Sequence, residues 1–236
     1  MPRRVGHKGA DHIAPGNTAA SFDAALAIGV DMIEFDVLSA ERDGSGELYL
    51  AHDYEMLHAG EALTLRQGLS HLASAPFAQV GFDVDLKLPG YERRVLAALR
   101  DHGLLERSLL STMFRESLRA LRAAEPAARI GWSVPRVKRD YTTNLLTGVP
   151  ALAVASGYRR ILPRLVAQAL RARECDAIMA HWRLVTPALL AAVRGAGGEL
   201  YVWTVDDGRR VAQLQALGVD GIISNDPRLL QPAGAS

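Results

Sequence analysis

The sequence predicts an α/β protein whose strands and helices close into a (β/α)8 TIM barrel. Short apolar runs alternate with longer segments of helical period, the pattern of a parallel sheet with crossover helices. Eight such runs can be identified, the number of strands in this barrel. The chain has 236 residues, which suits one barrel and is short for two domains. We therefore expect a single domain over residues 1–236.

The eight predicted strands are rich in β-branched or apolar side chains and are bounded by turn residues. They cover residues 4–7, 32–37, 80–86, 108–112, 129–134, 177–180, 200–205 and 221–224. An additional strand is predicted over residues 47–52. Beyond it, residues 54–82 contain one predicted helix, at 65–72, so we expect a short or absent insertion after the second strand and a site open to solvent.

Capping residues mark the predicted helices. Asn17 is expected to cap the first helix, and Gly29 to end it. Thr186 caps a later helix, and Asp206 or Asp207 begins the last long one. A long connection over residues 136–158 follows the fifth strand and precedes a helix. The predicted inner face of that helix is an i, i+3, i+4 stripe of Ile161, Leu162, Leu165, Val166, Ala169 and Leu170.

The overall composition excludes several classes of function. Lysine and arginine total 27, and aspartate and glutamate total 26, so the formal net charge is +1. This balance argues against a dedicated nucleic-acid binder. Cys175 is the only cysteine, which excludes an internal disulfide and favours a structural role. No apolar signal core or membrane span is found, so we expect a cytoplasmic protein without stable membrane insertion.

Acidic residues cluster at the predicted ends of two neighbouring strands, where active sites of this barrel lie. Glu34 and Asp36 are two residues apart and point to one face of their strand. The same period places Asp83, Asp85 and Lys87 on one face of the next strand. Repulsion between such carboxylates is relieved by a divalent cation with oxygen ligands. The alternative is an interior ion-pair network neutralised by Lys87, although one lysine leaves negative charge uncompensated.

Two of the seven histidines lie at strand ends beside this acidic cluster. His7 ends the first strand, and His52 ends the additional strand. Histidine titrates near neutral pH, so two of them can divide the duties of general acid and general base. A structural or surface role is the alternative for each, and the remaining five histidines are assigned to that class.

Seven motifs together resemble one known family. They are HKGA at 7–10, APGNT at 14–18, EFDV at 34–37, HD at 52–53, DLK at 85–87, WTV at 203–205 and GVDGIISNDP at 218–227. In this order they are similar to the motifs of the glycerophosphodiester phosphodiesterases, and they span nearly the whole chain. The resemblance implies a barrel enzyme that hydrolyses glycerophosphodiesters, its small-molecule partners, to glycerol 3-phosphate and an alcohol.

By matching position, the resemblance also implies the roles of individual residues. They are the ligands Glu34, Asp36 and Asp85 of one Mg²⁺ or Ca²⁺ ion, the acid–base pair His7 and His52, the phosphate contacts Lys8 and Lys87, and the pocket residue Trp203. Three positions depart from the family pattern: Lys8 replaces its usual arginine, Gly16 a glutamate, and Asp85 a glutamate. Lysine offers phosphate a point charge where arginine offers a planar fork, so the phosphate contact is expected to differ.

Two other functions remain open at this point. A related barrel phospholipase, of the sphingomyelinase D or lysophospholipase D type, acts on lipids and needs an apolar access loop. Tyr141, Leu145 and Leu146 are the best candidates for such a loop. The second alternative is a barrel that binds phosphate esters without turnover. The histidine pair argues against it, because binding alone does not require two groups that transfer protons.

Overall fold

The computed structural model describes residues 1–135 and 145–231, and for residues 145–156 it gives the helical backbone alone. Within these ranges the strands are β1 (Arg3–Gly6), β2 (Met32–Ser39), β3 (Leu48–Tyr49), β4 (Gly81–Leu86), β5 (Ser108–Thr112), β6 (Arg129–Val134), β7 (Ala177–His181), β8 (Glu199–Trp203) and β9 (Gly221–Ser224). The helices are α1 (Ala19–Ile28), α2 (Tyr54–His58), α3 (Leu65–Leu72), α4 (Glu92–Asp101), α5 (Arg115–Ala124), α6 (Leu145–Arg171), α7 (Pro187–Arg194) and α8 (Gly208–Leu217).

The strands form a closed parallel barrel, which confirms the predicted fold class. The ring runs β1, β2, β4, β5, β6, β7, β8 and β9, and β1 pairs with both β2 and β9 to close it. Every predicted barrel strand is present with ends shifted by two residues at most. The additional strand is shorter than predicted: β3 pairs antiparallel with the end of β2 through Leu38 and Tyr49. Only β3, α2, α3 and short turns separate β2 from β4, so the insertion is short, as expected.

One predicted helix cap is wrong, one was left open between two residues, and one residue of a predicted buried face is exposed. The cap of α1 is Thr18, whereas Asn17 has a left-handed backbone with φ of 61° and serves the site described below. Asp207 caps α8 by accepting a hydrogen bond from the amide three residues later, so Asp206 is free for another contact. Ile161 is 54% exposed and does not belong to the buried stripe of α6. It directly precedes buried Leu162, and successive helical residues are turned by about 100°.

Two other predicted helix ends are confirmed, and part of the long connection after β6 lies outside the described residues. Gly29 ends α1 with φ of 80°, and Thr186 caps α7, both as predicted. Residues 136–144 of the long connection, including Tyr141, lie outside the described residues, and the side chains of Leu145 and Leu146 are likewise not described. In the described part of the chain, no helix has both the length and the apolar character to cross a bilayer.

Apolar side chains fill the middle of the barrel, and the polar side chains of its interior lie at the C-terminal ends of the strands. An inner layer of apolar and aromatic side chains occupies the middle of the barrel, formed by Val5, Met32, Leu109, Ala177, Met179, Tyr201 and Ile223. A Cβ at Gly221 would lie 2.2 Å from Tyr201 Cδ1, so the absence of a side chain there makes room for the tyrosine ring. The larger core lies between the strands and the surrounding helices. Above the inner layer, at the C-terminal ends of the strands, there is space for a ligand.

Candidate active site

Four buried carboxylates meet at the C-terminal end of the barrel. In the register of β2 and β4, Glu34 lies beside Asp83 and Asp36 beside Asp85. Residues at alternate positions of a strand share a face, so all four side chains project into the barrel. Each of these residues is buried, with at most 8% of its surface exposed. The sequence predicted this shared face, and the structure adds the pairing between the two strands.

The oxygen atoms of this cluster have the donor chemistry and spacing required by a hard divalent cation. Glu34, Asp36 and Asp85 each offer an oxygen within 4.8 Å of the other two. The buried atoms Asp36 Oδ1, Asp83 Oδ1 and Asp85 Oδ1 have no hydrogen-bond partner. Leaving buried charged oxygens without a partner is costly, and a metal ion satisfies them. The residues present therefore fit an oxygen-ligated divalent ion.

Lys87 balances only part of this charge. Its ammonium nitrogen lies 2.5 Å from Asp36 Oδ1 and 2.5 Å from Asp85 Oδ2, and only the second contact has the angles of a hydrogen bond. Burial alone would raise the pKa of Asp36, but the neighbouring Lys87 lowers it below its usual value. One ammonium group faces four carboxylates, so negative charge remains.

In the protein without metal, burial raises the pKa values of Glu34, Asp83 and Asp85, which favours their protonated forms. Burial, reinforced by Asp36, holds the pKa of Glu34 well above its usual value. Burial also raises the pKa of Asp83 to about 8, with the charge of Asp85 acting in the same direction. A bound divalent ion would favour the ionised carboxylates instead, because it supplies positive charge at the site.

Asn17 holds Asp36 in place through two hydrogen bonds. Its side-chain amide donates to Asp36 Oδ2 at 2.9 Å, and its carbonyl oxygen accepts from the Asp36 backbone amide at 3.0 Å. Asn17 is completely buried. Its left-handed backbone, which asparagine tolerates better than most residues, directs the side chain inward. The residue that the sequence indicated as a helix cap therefore orients a candidate metal ligand.

His7 is oriented by a chain of hydrogen bonds that ends on a carboxylate. The Asn225 amide nitrogen donates to Asp206 Oδ2 at 2.7 Å, which fixes the orientation of the Asn225 side chain. Asn225 Oδ1 then lies 2.5 Å from His7 Nδ1 and accepts its proton. His7 Nε2 is left facing Glu34 Oε2 at 3.8 Å. Burial lowers the pKa of His7 to about 4, so the ring is neutral at pH 7 and Nε2 carries a lone pair.

His52 lies at the rim of the same site and is more exposed. It follows β3, and half of its side-chain surface is accessible. Its Nδ1 lies 3.2 Å from a carboxylate oxygen of Asp53, the residue that also caps α2. The cap fixes Asp53, and Asp53 in turn orients the His52 ring so that Nε2 is available to a ligand.

Trp203 and Lys87 complete the cavity that joins these groups. The cavity has a volume of about 160 Å³, and its lining includes His7, His52 and three of the four carboxylates, Glu34, Asp83 and Asp85. The Trp203 indole nitrogen donates to the carbonyl oxygen of Met179 at 2.8 Å, which holds the ring at the wall. Six of the eight predicted site residues line this cavity, and a seventh, Asp36, lies next to them in contact with Lys87. The eighth, Lys8, does not line the cavity.

Lys8 is instead paired with an acid that the sequence did not indicate. Its ammonium nitrogen lies 3.5 Å from Asp11 Oδ2, and the Gly16 amide donates to Asp11 Oδ1 at 2.8 Å. A Cβ at Gly16 would lie 2.6 Å from that same oxygen. The carboxylate of Asp11 therefore fills the space beside Gly16 and supplies a negative charge next to Lys8.

Comparison with known proteins identifies the chain. A family model described as the glycerophosphoryl diester phosphodiesterase family matches residues 7–64 and 74–229. The chain belongs to this family. A glycerophosphodiester phosphodiesterase of Caldanaerobacter subterraneus is 24% identical over 96% of this chain and 95% of its own. The fold class, the family and the enzyme class predicted from the sequence are confirmed: this is a phosphoric diester hydrolase of the glycerophosphodiester type.

Solved structures support the fold of the family in this chain. A glycerophosphodiester phosphodiesterase from Agrobacterium tumefaciens superimposes with a TM-score of 0.69 at 24% identity, covering 97% of this chain and 98% of its own. An Oleispira antarctica phosphodiesterase, solved with the product sn-glycerol-3-phosphate, gives a TM-score of 0.68 at 19% identity, covering 97% and 94%. The family is divalent-metal dependent, and the carboxylate cluster of this chain is consistent with that requirement.

Sequence reasoning missed the residues that orient the site. Asn17, Asn225, Asp206 and Asp11 all act on other side chains rather than on a ligand. The motif SNDP at the end of β9 contained a usable signal, because Asn225 follows a barrel strand directly. Asp11 and Asn17 lie in a loop whose path the sequence pattern does not fix.

Proposed function

We propose that Glu34, Asp36 and Asp85 bind one Mg²⁺ or Ca²⁺ ion, and that His7 and His52 transfer the protons of glycerophosphodiester hydrolysis. The products are glycerol 3-phosphate and an alcohol. The observation that carries this proposal is the group of buried carboxylate oxygens of Glu34, Asp36 and Asp85, all within 4.8 Å of one another, beside a cavity that His7 and His52 line. We further propose that residues 1–236 form the single domain in which this chemistry takes place.

The proposed ions follow from the chemistry of the ligands. All three candidate ligands are carboxylates, and hard cations such as Mg²⁺ and Ca²⁺ prefer oxygen. When bound, such an ion polarises the phosphoryl oxygen and stabilises the charge that develops in the transition state. Asn17 holds Asp36, and the backbone amide of Lys8 donates to Glu34 Oε2 at 2.8 Å, so two of the ligands are already fixed in position.

The environments of the two histidines suggest how they divide the work. His7 is neutral and donates its Nδ1 proton to Asn225, so its Nε2 is suited to remove a proton from the attacking hydroxyl. His52 stands at the solvent side of the cavity, where an alcohol product can leave. Asp53 accepts its Nδ1 proton and so holds the ring with Nε2 free to protonate the leaving alkoxide.

The remaining predicted residues are proposed to hold the small-molecule substrate. Lys87 places an ammonium group inside the cavity, beside the carboxylates, where it can contact a phosphoryl oxygen. Lys8 is proposed to add positive charge from the neighbouring loop, held by Asp11. Trp203 offers an aromatic wall for the carbon chain of the substrate. The glycerol 3-phosphate bound to the Oleispira relative is consistent with this assignment.

The test is a panel assay on protein first treated with a chelator. Glycerophosphocholine, glycerophosphoethanolamine, glycerophosphoglycerol and glycerophosphoinositol are each supplied with Mg²⁺, Ca²⁺ or Mn²⁺. We expect release of glycerol 3-phosphate only when a metal ion is added. Full activity in excess EDTA would contradict the metal assignment. Release of glycerol with a phosphorylated head group would contradict the position of cleavage.

A further inference from the structure

A row of three aromatic rings leads away from the catalytic cavity. Trp203 lines the cavity at the end of β8, and its ring centroid lies 5.2 Å from that of His181, at the end of β7. The His181 ring lies 5.6 Å from Trp182, the next residue along the chain. Neighbouring contacts of this kind form a continuous surface on which the carbon face of a polyol can pack.

Two arginines converge on the far end of this row. The guanidinium carbons of Arg183 and Arg210 lie 5.0 Å and 4.4 Å from the centroid of the Trp182 ring. Arg183 follows β7, and Arg210 stands in the first turn of α8, which follows β8. Both therefore lie at the C-terminal end of the barrel, the end that carries the catalytic cavity.

Neither guanidinium has a carboxylate partner among the described residues. Arg210 donates to the Gln213 side chain at 3.0 Å, but no acid lies within ion-pair distance of either arginine in the described ranges. The nearby acids are engaged elsewhere, because Asp206 binds Asn225 and Asp207 caps α8. By contrast, arginines on other faces are paired with acids.

The stacking on Trp182 leaves the arginines able to bind an anion. A guanidinium that stacks on an aromatic ring keeps its N–H groups in its own plane, where they can contact the oxygens of a phosphate. The indole does not neutralise the charge of either group. Two positive groups thus stand at one end of an aromatic surface whose other end lies in the catalytic cavity.

We propose that Arg183 and Arg210 bind a second phosphate carried by the alcohol part of the substrate. This inference rests on the proposed function, since it names the class of glycerophosphodiester that the same site prefers. The scissile phosphate occupies the cavity, the alcohol lies along Trp203, His181 and Trp182, and its phosphate reaches the two guanidinium groups. Alcohols with a second phosphate are preferred over neutral ones, and alcohols with an ammonium group are the least favoured.

The experiment compares two substrates that differ by one phosphate. Glycerophosphoglycerol and its phosphomonoester, glycerophosphoglycerol phosphate, are given to the metal-loaded enzyme, and loss of the diester signal is followed by ³¹P NMR. An exposed ion pair is worth up to about 1 kcal/mol, or about fivefold, so two arginines predict a kcat/KM ratio of roughly ten to twenty-five in favour of the phosphomonoester. The ratio should fall at high ionic strength, because exposed charges are screened.

Substitution of the two arginines tests whether they cause the preference for the substrate with a second phosphate. We expect Arg183→Gln and Arg210→Gln each to lower the ratio by about threefold to fivefold, and the double charge reversal Arg183→Glu with Arg210→Glu to invert it. Arg209→Gln is the matched control, because Arg209 is exposed on the same turn of α8 and contacts no aromatic ring of the described residues. Both substrates are measured on the same protein sample, so a loss of folded protein does not change the ratio.

The outcomes separate this inference from the function on which it rests. Turnover of both substrates with a ratio near one, or a ratio that Arg209→Gln lowers as much as Arg210→Gln, would overturn the inference alone. Absence of turnover on both substrates would overturn the proposed function and the inference together. A ratio that only the Arg183 and Arg210 variants reduce would support it.

Discussion

The two ends of this barrel both contain ionisable side chains, but they are arranged differently. At the N-terminal end, Glu199 is contacted by Arg129 at 2.7 Å, by the Tyr201 hydroxyl at 2.9 Å and by Arg3 at 3.7 Å. Arg3 also donates to the Tyr201 hydroxyl at 2.5 Å. The hollow there, about 420 Å³ and lined by Arg3 and Glu199 among others, is therefore bordered by groups that already have partners.

At the C-terminal end the charges are buried and unbalanced. Four carboxylates face the single ammonium of Lys87, and three of their oxygens lack a hydrogen-bond partner. A network whose only purpose is to stabilise the fold satisfies its buried polar atoms, as the N-terminal end does. The comparison therefore favours the metal site over the interior ion-pair network that the sequence left as an alternative. The predictions below test this difference.

The largest effect is expected from the candidate metal ligands. Glu34→Gln and Asp36→Asn each remove one of the three proposed carboxylate ligands of the metal ion, so turnover should be lost. The loss should exceed that of either histidine variant below, measured as kcat with saturating Mg²⁺ or Ca²⁺. Glu199→Gln, a matched change at the opposite end of the barrel, should keep the wild-type kcat. An equal loss of kcat in Glu199→Gln would show that the difference between the two ends of the barrel has no bearing on catalysis.

The next largest effect is expected from the two histidines. His7→Ala and His52→Ala should each lower kcat by about two to four decades, the usual contribution of general acid–base catalysis. Neither residue is proposed as a metal ligand, so metal binding measured by calorimetry should survive both changes. A variant that retains wild-type kcat would assign a structural role to that histidine.

The sequence predicted the carboxylates of this site better than it predicted the residues that orient them. Side chains alternate between the two faces of a strand, and this was enough to predict that Glu34 and Asp36 share one face. The same alternation placed Asp83 and Asp85 together on the next strand. The strand count predicted the barrel that brings these faces together. By contrast, Asn17 contacts Asp36 only because its backbone adopts a left-handed conformation within a loop, and no periodic pattern encodes that conformation.

A smaller effect is expected from the hydrogen bonds that orient His7. Asn225→Ala should lower kcat by about 10-fold to 100-fold, the usual effect of removing a residue that orients a catalytic group, with less change in KM. The test is a double-mutant cycle, because a residue that acts only through His7 has no further effect on kcat in the His7→Ala variant. An equal loss in both backgrounds would show that Asn225 acts by another route.

The smallest effect is expected at the N-terminal end. Glu199 is 37% exposed at its side chain, and partly exposed ion pairs contribute about 0–1 kcal/mol each. Glu199 forms two such pairs, with Arg129 and Arg3, so Glu199→Gln should lower the free energy of unfolding by about 2 kcal/mol or less, measured by denaturant titration. A loss well above this value would contradict the description of these contacts as weak, partly exposed ion pairs.

The most direct test of the account is calorimetric titration of the metal-free protein with Mg²⁺, Ca²⁺ and Mn²⁺ in buffers of different ionisation enthalpy. We expect one ion per chain, with release of protons, because burial raises the pKa of two of the proposed ligands, Glu34 and Asp85, in the metal-free protein. Binding should weaken as the pH falls, be lost in Asp36→Asn and be unchanged in Glu199→Gln. Absence of saturable binding, or binding that Asp36→Asn leaves intact, would contradict the assignment of the carboxylate cluster as a metal site.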